Sequence, residues 1–550
     1  MSPGAIIERL FECRYGASNR LLARWFFLRA LGLIYFSAFY ALLFQIRGLI
    51  GNNGILPATE FLEAVAHSYG AARWWFAPSL FWLSTSNGWM MAVCWMGLLA
   101  SVLLVFNLWP RGTLAVCFVC FLSFVAAAGD FSGYQSDGML LEAGFIALFF
   151  APPGFRPGWG QACPPSRASL FLLQWEWFRI YFESGLVKLA SGDPQWRNWT
   201  AMDQYYQNGP LPTWIGYYAQ HLPHWFHAST VFVTFAIELG IVWMMFLPRR
   251  WRLICFFIVT ALQIGIILSA NYAFLNYLVL SLGILLVDDV YLLRVLPRHW
   301  RVQVERASKI ATAQLPEVSV REPEPALSII DTPAAPAAKP QASRGTQLGA
   351  WKLALTSVIL FWIFYAATVQ LLWILMPRLP LPTSPVAMLD PFRIANRYGL
   401  FAVMTRGRYE IEFQGSNDGQ NWTPYPFRYK PQDPSKAPGI YAPYQPRFDW
   451  NLWFASLGEW RENAIVPSTE ERLLSNSHDV LQLFAANPFP NQPPRQVRAV
   501  LWQYWFTSLE EKRRTGKWWR RELLGLYAPV LQINADGKLE VVQWPAPLHG

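Results

Sequence analysis

YFESGLVKLASGDPQWRNWTAMDQYYQNGPLPTWIGYYAQHLPHWFH, residues 181–227, runs from an apolar helix into an aromatic exit broken by prolines. Glu183 and Lys188 lie within the apolar part, where a helix crossing a bilayer would bury them. Charged side chains at that depth are expensive and face a bundle interior or a wet cavity, so they are functional candidates. Whether this is such a helix depends on the rest of the chain.

The composition agrees with a membrane protein. Of 550 residues, 53% are hydrophobic, 16% aromatic and only 15% charged, too apolar for an ordinary soluble protein. The 29 tryptophans suit the bilayer interface, where an apolar ring with one polar edge anchors helix ends. A net charge of +10 would suit nucleic-acid binding if it formed a basic stripe, but the arginines sit in short loops beside apolar runs. They report membrane orientation, and no nucleic-acid partner is expected.

Runs near the roughly 20 residues needed to cross a bilayer occur at about 25–46, 89–109, 113–129, 138–152, 168–190, 229–247, 253–270, 275–292 and 352–376. The fold class expected is therefore an α-helical polytopic membrane protein of about nine spans with a C-terminal soluble domain of mixed antiparallel strands and helices. Arg9, Arg14, Arg20 and Arg24 precede the first run, and alternate loops carry Arg111, then Arg156 and Arg167, then Arg249, Arg250 and Arg252, then Arg294, Arg298, Arg301 and Arg306. The positive-inside rule then puts the N-terminus in the cytoplasm and the C-terminal domain outside. The first run extends to about Phe44 and reads as a span, not a cleavable signal.

Four segments follow: a helical bundle over 1–302 with eight candidate spans, a Pro- and Ala-rich cytoplasmic linker over 303–349, a last transmembrane helix over 350–378, and an outer-face domain over 379–550. In that domain RYEIEF (Arg408–Phe413) alternates with period two before an Asp-Gly turn, and a second strand is expected at Trp422–Tyr429. Ser468 with Glu471 reads as a capping box, and LQINADGKLEVVQW as strand, turn and strand. The stretch from Phe427 to Trp460 has too many prolines for regular structure and reads as ordered binding loops.

Glu176, Arg179 and Glu183 share one helix face, whereas Lys188, five residues beyond Glu183, points elsewhere, towards Glu142, Glu238, Asp130 or Asp137. Such pairs can hold helices together. The sharper reading makes Lys188, with Glu183 or Glu142, a catalytic base group, since a desolvated amine loses basicity. Cys117 and Cys120 have the spacing of a redox pair but lie in an apolar run without a basic neighbour, and read as packing residues. His221, His224 and His227 are three apart, but Pro223 and the lack of an acid cluster favour loop histidines over a metal site. Asn198 and Asn421 fit the glycosylation sequon. No metal and no cofactor are expected.

Several motifs together resemble the lipase maturation factor family: YQSDGMLLEAGF (134–145), FESGLVKLASGDPQWRNWTAM (182–202), PLPTWIGYYAQHLPHWFH (210–227), the run 271–289, YGLFAVMT (398–405), FRYKP (427–431), APYQPRFDWNLWFA (442–455), NPFP (487–490) and RRTGKWWRRELLG (513–525). The resemblance covers nearly the whole chain. It implies a multi-pass protein of the secretory membrane, a chaperone-like maturation factor and not an enzyme, whose partners are the bilayer and secreted clients such as lipases. The client surface is expected on the aromatic loops, at Tyr429, Tyr444, Arg447, Asp449, Trp450, Trp453 and Phe454. The compact chain and its Ala/Pro linker point to a bacterial cytoplasmic membrane; in a eukaryote the setting is the endoplasmic reticulum. A shorter similarity links SGLVKL (184–189) to the segment carrying the proposed base lysine of vitamin K-dependent γ-glutamyl carboxylases, which implies an intramembrane enzyme with Lys188 as base.

Overall fold

The apolar runs fold as helices in the computed structural model, which describes residues 3–313 and 344–546. The first three are α1 (Leu21–Leu43), α2 (Asn87–Val105) and α3 (Pro110–Ala127). The side chain of Ser86 caps α2, and α3 starts on a proline, whose missing N–H has no partner to lose in a first turn. After them come α4 (Gln135–Phe150), α5 (Arg167–Ala190), the short α6 (Trp214–Gln220), α7 (His224–Phe235), α8 (Arg249–Ser269), α9 (Leu275–Gly283), α10 (Arg298–Ala313) and α11 (Arg344–Leu375).

Six described helices are long and apolar enough to cross a membrane: Ser18–Leu43, Asn87–Val105, Pro110–Ala127, His224–Phe246, Arg249–Ser269 and Gly349–Leu375. The protein is thus an integral, multi-pass membrane protein, with six such helices where nine runs were expected. The other three differ for physical reasons. With 16 residues α4 is short, and α9 with its 3₁₀ extension ends at Leu286. Helix α5 has the length, 24 residues or about 36 Å, but carries Glu176, Arg179, Glu183 and Lys188 on buried positions. Its place explains how that is tolerated: it packs on α4, α9, α11 and the turn after α7, so its polar face meets protein and not lipid. The linker expected over 303–349 begins inside α10, and residues 314–343 lie outside those described.

Beyond α11 the chain forms an antiparallel sheet. Strand β1 (Arg408–Ser416) pairs with β2 (Thr423–Pro424) on one side and β3 (Gln496–Phe506) on the other, with Ile411 opposite Leu501. The far side of β3 carries both β4 (Trp519–Leu526) and β5 (Val530–Ile533), and β6 (Leu539–Gln543) closes the edge. Period two divides β1: Ile411 and Phe413 enter the apolar core, while Glu410 and Glu412 meet Lys430 and Arg521 at 2.9 and 3.1 Å. The strand expected at Trp422–Tyr429 shortens to two residues, because Pro424 and Pro426 lack the N–H groups a ladder needs.

Two helices pack beside the sheet, α12 (Arg447–Ala455) and α13 (Ile465–Leu474). The first corrects the expectation of a wholly irregular stretch from Phe427 to Trp460: the prolines end at Pro446, and the chain turns helical at the next residue. The second corrects the capping box. Helix α13 starts at Ile465, so Ser468 lies within it and donates its N–H to the Ala464 carbonyl. Pro467 in the first turn suits that earlier start.

Candidate functional site

Glu142 of α4 and Arg179 of α5 form a fully buried ion pair, and Glu183 lies 3.6 Å from the same guanidinium. Further partners for this cluster come from an irregular segment, residues 393–405, which follows α11 and lies against α5. Tyr398 donates its hydroxyl to Glu142 Oε2 at 2.8 Å and its backbone N–H to Glu183 Oε2 at 2.6 Å. Asn396 donates its backbone N–H to Glu142 at 2.9 Å, and its carbonyl accepts from Arg179 at 2.6 Å. Farther along, Met404 N–H donates to Asp193 at 2.7 Å, and Trp196 Nε1 donates to the Phe401 carbonyl at 3.0 Å. Glu176, on the same face of α5, lies 3.5 Å from the Tyr398 hydroxyl.

Lys188 points away from this cluster and donates to both oxygens of Glu238, at 2.8 and 2.9 Å. Glu238 sits in a π-helical turn, Ala236–Gly240, which interrupts the helix after α7 and is followed by a 3₁₀ turn, Ile241–Phe246. Such turns are rare and concentrate at functional sites. Their effect here is to swing Glu238 onto α5, where the pair ties the two helices together. Lys188 and Glu238 also line a cavity of about 750 Å³ between α5, α7, α8 and α9, which reaches up to Trp450, Trp453 and Phe454 of α12.

The residues expected at a client surface divide by exposure. Arg447 is buried, donates to both oxygens of Asp137 at 2.7 and 2.8 Å and to the Phe131 carbonyl at 2.7 Å, and so fixes α12 to the start of α4. Asp449 is buried too and accepts from the backbone N–H groups of Tyr429 and Lys430. Burial pushes its carboxyl up to about 6, opposed by the charge of Lys430. Trp450 and Trp453 are buried, Tyr429 and Tyr444 half-buried, and Phe454 is 46% exposed. The sheet has its own clamp, since Arg408 donates to the carbonyls of Gln207, Gly209 and Pro210 and to Glu410. Asn271 adds a third contact, accepting from Tyr441 N–H at 2.6 Å and donating to the carbonyls of Leu211 and Gly439, both at 3.0 Å.

The three histidines hold different partners. His221 bridges the carbonyls of Tyr217 and Thr507, His224 meets Asp203 at 2.9 Å, and His227 is buried against the Tyr206 ring. Cys117 and Cys120 are buried in α3. Sequence reading missed Tyr398 and Asn396 as members of the site, and it named Glu238 only among several acids. The motif YGLFAVMT was visible, but its contact with residues more than 200 positions earlier has no local signal.

Comparison with known proteins agrees across both parts of this arrangement. Residues 22–294 match the lipase maturation factor transmembrane domain, and residues 394–529 match the lipase maturation factor C-terminal domain. Lipase maturation factor 2 of Gallus gallus is 32% identical over 93% of this chain and 81% of its own length. Lipase maturation factor 1 of Bos taurus is 30% identical over 97% of this chain and 93% of its own. For lipase maturation factor 2 of Homo sapiens the identity is 31%, over 95% and 84%. No solved structure matches the chain.

Proposed function

The chain belongs to the lipase maturation factor family, and on that premise we propose that it is a membrane-anchored maturation factor that assists folding or assembly of secreted proteins, lipases first among them. The observation that carries this reading is the partly exposed apolar pair at and just beyond the C-terminal end of α12. Phe454 is 46% and Leu457 42% exposed, side by side, on a domain that buried arginines hold rigidly to the bundle. Exposed aromatic surface on a fixed support suits transient contact with apolar parts of an incompletely folded client. Trp450 and Trp453 back this surface, Tyr429 and Tyr444 flank it, and Arg447 and Asp449 position the helix that presents it.

The arginine-rich loops favour a cytoplasmic N-terminus, and the C-terminal domain then lies on the client's side if the number of crossings is odd, as it is when the protein-enclosed α5 crosses beside the six lipid-compatible helices. That membrane is the cytoplasmic membrane in a bacterium, or the endoplasmic reticulum in a eukaryote. Phe454→Ser combined with Leu457→Ser should lower secreted lipase activity while the folded chain remains in the membrane. Unchanged secretion and activity of the client at equal abundance of the folded chain would end this reading.

A second reading is an intramembrane enzyme with Lys188 as base, and its support is that the amine faces a cavity. For that chemistry Lys188 must give up its proton in spite of the Glu238 carboxylate at 2.8 Å. Lys188→Met in the same secretion assay separates the two: loss of client activity with a full complement of folded protein favours the base, and retained activity favours the maturation surface.

A further inference from the structure

The cavity beside Lys188 has the size of a small-molecule site, about 750 Å³, and several of its polar groups are gathered at one end. There Gln263 donates to the Tyr181 hydroxyl at 2.7 Å, Asn276 donates to Gln263 at 2.6 Å, and the Lys188–Glu238 pair completes the floor. The other walls are mainly aliphatic and aromatic, with Thr230, Thr234 and Ser269 among them and Gln135, Ser136 and Thr405 farther off. Helices α7 and α8 form one side, and they do not pack along their length: the 3₁₀ turn Ile241–Phe246 touches α8, but α7 itself makes no comparable contact with it. Short α6 packs on α8 near its C-terminal end. Both helices qualify as membrane spans by length and composition, so a slot between them would face lipid. Gly265 of α8 lines this slot, and a Cβ there would meet nothing within 4 Å.

We propose that this cavity holds an uncharged amphipathic lipid, which enters sideways from the bilayer between α7 and α8 with its hydroxyl or carbonyl head on the Gln263–Asn276 floor and its chain along the apolar walls. The charge state of the ligand follows from the floor. Lys188 and Glu238 neutralise each other, so an anionic head would meet an acid with no spare cation, and a cationic head the reverse; a buried charge without a partner is strongly disfavoured. Neutral hydrogen-bonding heads avoid that penalty. Entry from lipid accounts for the slot's position, and the aliphatic walls suit an acyl chain better than a hydrophilic solute. This site does not rest on the client reading, although Trp450, Trp453 and Phe454 of the C-terminal domain close its upper end.

The test uses the full chain in phosphatidylcholine nanodiscs with two photoreactive probes of equal chain length, a monoacylglycerol and an alkyl sulfate. The monoacylglycerol should label peptides of α7 and α8 at least about tenfold more than the sulfate does, which corresponds to roughly 1.4 kcal/mol of discrimination. Gly265→Trp should plug the slot and remove the label; Thr234→Trp, on the facing helix, is the second plug if the first does not fold. Glu238→Gln leaves the ammonium unbalanced and should turn the preference towards the sulfate. Equal labelling by both probes, labelling that survives both plugs, or an unchanged preference in Glu238→Gln would each overturn the proposal.

Discussion

Asp449 reports how α12 is held. Its carboxylate accepts two backbone N–H groups, at 3.3 and 3.1 Å, yet burial raises its proton affinity to about 6 from an ordinary 3.8. An acid whose affinity rises on folding keeps a proton that the unfolded chain has already lost. Its contribution to stability is therefore complete below 3.8 and is lost as pH climbs through about 6. Asp449→Asn retains an acceptor for those N–H groups and cannot ionise. Thermal melts of the full chain between pH about 4 and about 7.5 should fall more steeply for the native protein than for the Asn variant, by up to about 3 kcal/mol. Parallel slopes in the two proteins would mean that Asp449 titrates as it does in the unfolded chain.

The segment 393–405 has no regular structure, yet it carries the densest set of bonds between the C-terminal half and α5. Its stability comes from satisfying buried carboxylates that the helices alone leave short of donors. Tyr398→Phe removes only the hydroxyl on Glu142, and a buried charged acceptor that loses one donor costs about 1–3 kcal/mol. The variant should melt earlier and expose 393–405 to limited proteolysis before the sheet opens; equal protease resistance would show that the segment is held by its backbone contacts alone. This element also marks how far the sequence could be read. Apolar runs and the Asp-Gly hairpins were legible because their signals are local, and Glu183 and Lys188 stood out as charges in a span. Their partners were not legible. The spacing of Glu176, Arg179 and Glu183 placed them on one face of α5, but nothing local says that Tyr398 meets Glu183, or that a π turn brings Glu238 rather than Glu142 to Lys188. The same limit produced the excess of spans, since the length of an apolar run does not say whether a helix faces lipid or protein.

At the scale of the molecule, one apolar core runs without a break from Phe27 and Tyr35 in the bundle to Phe413 and Phe484 in the C-terminal domain. The domain is therefore fused to the bundle and does not hang from α11. Three polar clamps reinforce the fusion: Arg408 on the carbonyls of residues 207–210, Arg447 on Asp137, and Asn271 on the loop at 439–442. A rigid mount of this kind fits a surface that must present exposed apolar residues without collapsing onto them. The arrangement predicts the behaviour of a divided chain. If residues 1–313 and 344–550 are produced as separate polypeptides in the same cell, they should co-purify from detergent as one complex, because the contacts that join them do not depend on the intervening peptide. Arg447→Leu in the second fragment strands Asp137, and breaking a buried pair in this way costs about 3–5 kcal/mol, enough to weaken association by more than a hundredfold. Replacing Asp137 by Asn in the partner fragment removes the stranded charge and should recover part of that loss. Fragments that never associate, or a complex indifferent to Arg447→Leu, would mean that α11 alone carries the C-terminal domain and that the buried arginines only shape its interior.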